Sequence, residues 1–182
     1  MQHSAKKNGF LLWMGVFIMI LLVIFDQFTK FLAVRYLKDA PAFPVLSGVF
    51  ELSYLENYGA AFGMLQGQKN LFIIMTTLTL AVLIYLYIRI PKEKRYFYLY
   101  LLLILLIPGA VGNFIDRCTH NYVIDFFYFK LIHFPVFNMA DIYVSAATVL
   151  LVILFCFYYK EEEIDMLLKQ LLFWKKEKKE ND

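Results

Sequence analysis

The sequence predicts an all-α integral membrane protein: four transmembrane helices, a small extracytoplasmic β-rich platform and a C-terminal amphipathic helix. Three observations predict it. The 182 residues are 61% hydrophobic, against roughly 45–50% for an ordinary soluble domain. The excess is gathered into four apolar runs, each long enough to cross a bilayer. Between the first two runs, Pro, Gly and short aromatic stretches take the place of helical signals.

The first span is read from about residue 10 to 34. Lys6 and Lys7 precede an apolar run that starts at Phe10, which has the look of a secretory leader. No small-residue cleavage site follows, and Phe31-Leu32-Ala33-Val34 resumes the apolar character, so the span is read as retained. At 1.5 Å per residue it covers roughly 37 Å. Asp26 and Lys30 interrupt it four residues apart and so share a helix face. They are either an interfacial anchor or part of a site.

Residues 38–70 form the platform. Pro41, Pro44 and Gly48 punctuate it, and the run from Val45 to Leu55 favours strand over helix. Asn57-Tyr58-Gly59-Ala60-Ala61-Phe62 follows, with small residues that allow close backbone approach. The second span is read at 71–90 and is stopped by Pro91. Lys92 to Arg95 make a basic turn, and the third span is read at 96–115. Gly109, Ala110 and Gly112 would let another helix approach it closely. The fourth span is read at 141–159. After it, Ile164, Leu167, Leu168, Leu171 and Leu172 recur at helical spacing among charges, up to Trp174 and a lysine cluster. That pattern predicts an amphipathic helix on the membrane surface.

Four spans put both termini on one side. Lys6 and Lys7, the turn from Arg89 to Arg95, and the tail lysines outnumber Lys30, Arg35, Lys38, Lys69, Arg117 and Lys130 on the other. The positive-inside rule makes the termini cytoplasmic. Asp26, Lys30, Asn57, Asn113, Asp116, Arg117, Asp125, Asn138 and Asp141 then all fall near the outer boundary. A carboxylate beside lipid is costly and therefore a functional candidate.

Asp125 and Asp141 bracket an aromatic segment broken by Pro135. Two carboxyl groups held close together titrate as a unit, one keeping a proton while the other stays ionised. Such a pair supplies general acid and general base for water attack on a peptide bond. Spacing alone leaves a second reading open, with Asp141 a helix N-terminal charge and Asp125 a loop residue. Asp116 and Arg117 are adjacent and are expected to pair, while Asn113 and Asn138 either orient carboxylates, grip substrate backbone or cap helices. The aromatics Phe126, Phe127, Phe129, Phe134 and Phe137 are expected to line a cleft or anchor the segment in the interface. His3, His120 and His133 form no cluster and the two cysteines have no ligand spacing, so no metal or cofactor is expected. A net charge of +3 carries no nucleic-acid footprint.

Five pieces, in order, resemble the lipoprotein signal peptidase (signal peptidase II) family of bacterial membrane aspartic proteases. They are Asp26-Gln27-Phe28-Thr29-Lys30, Asn57-Tyr58-Gly59-Ala60-Ala61-Phe62, Gly109 to Arg117, Val123-Ile124-Asp125-Phe126 and Phe137-Asn138-Met139-Ala140-Asp141. The resemblance implies Asp125 and Asp141 as catalytic dyad, with Asn57, Asn113, Arg117, Asn138, Asp26, Lys30, Gly59 and Asp116 lining or supporting the site. It implies a diacylglyceryl prolipoprotein substrate cut on the amino side of its lipidated cysteine, membrane lipids as partners, globomycin-type inhibitors, and a bacterial cell membrane location. Residues 1–160 are then the four-span peptidase domain and 161–182 a charged cytoplasmic tail without a catalytic part. Pro108 stands where the family usually has Gly. The competing classes are a proton-coupled transporter, which calls for midplane carboxylates and repeats that the sequence lacks, and a non-catalytic scaffold.

Overall fold

The computed structural model describes residues 2–59 and 66–173. Ala60, Ala61 and Phe62 of the second motif, and Trp174 with the lysines after it, lie outside the described residues.

Among the described residues, four helices are long and apolar enough to cross a membrane, at Gly9–Leu37, Lys69–Arg89, Lys94–His120 and Met139–Tyr158. They belong to helices α1 (Gln2–Leu37), α2 (Lys69–Arg89), α3 (Phe97–His120) and α4 (Met139–Ile153), the last continuing as a π-turn over Leu154–Tyr158. Several ends differ from the sequence reading, α1 most of all, since it starts at Gln2. Helix α1 runs on to Leu37 and α3 to His120. Nothing in Ile115–His120 breaks a helix, and α3 stops only at Asn121, which takes the left-handed conformation with φ 72°.

Helix α3 is the hub. In its membrane window 44% of residues are buried, against 6–22% in the other three, and α1, α2 and α4 all pack on it. Pro108 lies inside α3 without ending it. The next turn carries two close approaches. A Cβ on Gly109 would stand 2.7 Å from Val144 Cγ2 of α4, and one on Gly112 would collide with an Asp26 carboxylate oxygen of α1. The small residues therefore let α1 and α4 close on α3 at one level, where the polar residues gather.

The platform is an antiparallel sheet in the order β1-β2-β3, with β1 Phe43–Leu46, β2 Phe50–Asn57 and β3 Val123–Tyr128. Both of the first two strands lie in the platform read at 38–70, but the single run from Val45 to Leu55 is broken by a turn, so that β1 shares only Val45 and Leu46 with it. Strand β3 was not predicted. Its first four residues are buried, so an apolar run covered on both faces hides the alternation that marks a strand. Leu55 pairs with Asp125 and Asn57 with Val123, which places Asn57 and Asp125 side by side on one face. Ile124 and Phe126 point the other way, onto Ala33 of α1.

The tail forms helix α5 (Glu161–Phe173). Its apolar stripe meets the bundle as well as the surroundings. Ile164 and Leu167 pack on the main core and Leu171 is buried, while Met166 and Leu168 stay exposed. Glu163 pairs with Arg95 at 2.6 Å, and Tyr85 donates to the Leu171 carbonyl at 2.6 Å.

Candidate active site

Beneath the platform lies a buried ionic cluster. The Lys30 ammonium reaches Asp26 and Asp116, each at 2.9 Å, and the three side chains are at most 1% exposed. Burying charge is costly unless every group is partnered, and here each is. The third Lys30 contact is Asn113 Oδ1 at 3.0 Å. Asp26 Oδ1 accepts from the Ala140 N–H at 2.9 Å, and Asp116 Oδ2 from the Ile124 N–H at 3.1 Å. The cluster thus ties α1 and α3 to the residues just before Asp141 and Asp125. Gln27, which the sequence reading passed over, completes it by donating to Asp116 Oδ1 at 3.0 Å and to the Gly112 carbonyl at 3.2 Å. Its signal was its place in a polar tract inside an apolar span.

Asp125 and Asp141 face one cavity of about 1190 Å³. Asn138, fully buried, links them. Its Nδ2 donates to Asp125 Oδ1 at 2.7 Å, its Oδ1 accepts from the Asp141 N–H at 3.1 Å, and its own N–H donates to Asp141 Oδ2 at 3.1 Å. The last two bonds are the reciprocal capping box that starts α4. The helix-end and site readings of Asp141 are therefore compatible, because Oδ1 remains for Asn113 Nδ2 at 2.8 Å. Asn57 Nδ2 donates to Asp125 Oδ2 at 2.8 Å, and its Oδ1 accepts from the Gly59 N–H at 3.0 Å. Every oxygen of both carboxylates accepts from an N–H group. Asp125 is pushed up to about 7, first by burial and then by the charge of Asp141, against the opposing bonds from Asn57 and Asn138.

One expectation is corrected and a second is narrowed. Arg117 does not pair with Asp116. It donates to the Gly59 carbonyl at 3.0 Å and lies 4.6 Å from the Phe72 ring centre, while Asp116 pairs with Lys30. Successive helical residues point about 100° apart, so neighbours in sequence face different partners. Of the five aromatics, Phe134 and Phe137 line the cavity. Phe126 is buried against α1 instead, and Phe127 and Phe129 pack with Phe50. The rest of the wall includes Ser145 and an apolar flank of Ile142, Val144 and Val149 on α4, with Val149 60% exposed to the surroundings of the bundle.

Known proteins resemble this chain over most of its length. A family model described as signal peptidase (SPase) II matches residues 18–157. A lipoprotein signal peptidase of Caldanaerobacter subterraneus subsp. tengcongensis is 43% identical over 138 residues, covering 75% of this chain and 92% of its own. One from Clostridioides difficile is 42% identical over 134 residues, covering 74% and 88%. A solved bacterial membrane enzyme superposes with a TM-score of 0.71 at 30% identity, over 81% of this chain and 92% of its own.

Proposed function

The chain belongs to the signal peptidase II family, and from that premise we propose that it removes signal peptides from diacylglyceryl-modified prolipoproteins. The cut falls on the amino side of the lipidated cysteine, and Asp125 and Asp141 do the chemistry. One observation carries the assignment: two carboxylates from separate segments open on one cavity and are held by the same asparagine.

Asp125, whose environment retains a proton, donates it to the scissile carbonyl oxygen. Ionised Asp141 takes a proton from water as the water oxygen attacks the carbonyl carbon. The tetrahedral intermediate collapses as the carbon–nitrogen bond breaks. Asp141 passes its proton to the leaving cysteine nitrogen, and Asp125 recovers its own. Asn57, Asn113 and Asn138 hold the two carboxylates in place for both steps. The apolar flank on α4 receives the diacylglyceryl chains or membrane lipid, and globomycin-type cyclic peptides compete for the same cavity. The termini are cytoplasmic and the site lies at the outer boundary. Residues 1–160 form the catalytic unit, and 161–182 take no catalytic part.

The test uses the full chain in detergent with a diacylglyceryl prolipoprotein and its unlipidated counterpart. Mass spectrometry should find a single cut just before the lipidated cysteine, none in the unlipidated peptide, and no effect of chelators. Equal cutting of both peptides, or a cut elsewhere, would refute the reading. In the same assay kcat/KM should decline as pH rises through about 7, where Asp125 gives up its proton. A rate that stays flat from pH 6 to 9 would remove Asp125 as the acid.

A further inference from the structure

We infer that Lys30 is a positioning residue for this reaction: its ammonium fixes the side-chain amide of Asn113 so that the N–H end meets Asp141. The inference rests on the dyad reading and concerns a group outside it. Among the described residues, the ion pairs of Lys30 are with Asp26 and Asp116.

An asparagine amide has two ends of nearly equal shape and opposite polarity, and only its surroundings decide which way it points. Asn113 stands between Lys30 and Asp141. Lysine has donors alone. Two of its three protons go to Asp26 and Asp116, and the third goes to Asn113 Oδ1 at 3.0 Å. That leaves Nδ2 to face Asp141 Oδ1 at 2.8 Å. The reversed amide would set N–H against ammonium and a carbonyl oxygen against a carboxylate. Asn138 Nδ2 also donates to Asn113 Oδ1, at 3.1 Å, but it divides two protons among Asn113, the Ile124 carbonyl and Asp125. Lys30 is the undivided donor, and its charge polarises the amide toward a stronger N–H bond. The expected consequence is that the bond favouring the ionised base depends on a residue of the first span.

Lys30→Met alone would leave two buried carboxylates unpaired. Lys30→Met combined with Asp26→Asn keeps the net charge of the cluster unchanged and is the variant to use. Its kcat/KM on the lipidated substrate should fall by on the order of 100-fold. The acid limb of its pH profile, where activity is lost as the base of the pair takes a proton, should move to higher pH. Asn113→Leu should move the limb in the same way, and combining the two changes should cost little more than either. A folded Lys30 variant with an unmoved limb, or losses that multiply when combined with Asn113→Leu, would overturn the inference. If the Lys30 variant does not accumulate, Asn113→Leu decides, since it keeps the ion pairs of Lys30 with Asp26 and Asp116: a displaced limb supports the inference and an unmoved one overturns it. Asp125→Asn separates the two levels of the argument. Cleavage surviving that change defeats the dyad itself, whereas a dead Asp125→Asn with an unmoved Asn113→Leu limb defeats only the role of Lys30.

Discussion

Asp125→Asn and Asp141→Asn are each expected to lower the rate of prolipoprotein cleavage by at least about 1000-fold, with the four-span fold retained. The substitutions preserve shape, so packing around the cavity stays as it is. What changes is polarity. Asp125 accepts from Asn138 on one oxygen and from Asn57 on the other. An amide has one acceptor end, so its NH2 must oppose one of those donors. At position 141 the same conflict arises between the Asn113 side chain and the Asn138 backbone. Neither variant can complete both proton transfers, since an amide does not exchange a proton near neutral pH. Residues that act as a unit lose function together, so the double variant should be little slower than either single one. Single-turnover cleavage of a lipidated peptide, beside thermal unfolding in detergent, checks both halves. A folded Asp125→Asn or Asp141→Asn protein that cuts at the wild-type rate would end the two-carboxylate mechanism.

Much of this arrangement is legible in the sequence, because lipid imposes few solutions. An apolar run of about 20 residues can cross a bilayer as a helix, and all four spans fell where the runs are. Span polarity and length also carried Asn57, Asn113, Asp125, Asn138 and Asp141 to one end of the bundle. What spacing could not supply was partnership. Asp116 and Arg117 looked like a natural pair, yet helical geometry turns one inward to Lys30 and the other toward Gly59 and Phe72. The buried cluster links α1, α3, β3 and α4, and no local pattern encodes a contact across more than 80 residues. Strand β3 was hidden for a different reason. Its Asp125 and the apolar residues around it are all buried, so no alternation of polar and apolar residues marks it. Of the five aromatics that begin in β3, two line the cavity, because composition says that rings are present and not which face they cover.

Asn138→Leu is expected to produce the second largest loss, and for two separable reasons. The side chain keeps its approximate volume in a fully buried position, so no large cavity results. Its Oδ1 no longer caps α4 through the Asp141 N–H, which should cost about 1 kcal/mol of stability. Its Nδ2 no longer reaches Asp125 Oδ1, and loss of one preorganised donor at a reacting group typically lowers the rate by about 100- to 1000-fold. Asp125 should then hold its proton more firmly, because the Asn138 bond is one of the influences that lower its pKa. The alkaline limb of the pH profile should therefore move above about 7 even as the maximum falls. Asn138→Ser separates the two reasons. Serine caps a helix well but is too short to span from the start of α4 to Asp125, so it should recover stability without recovering rate. If Asn138→Ser restored the rate as fully as the unfolding temperature, Asn138 would be a helix cap alone, and the link between the two carboxylates would have no part in catalysis.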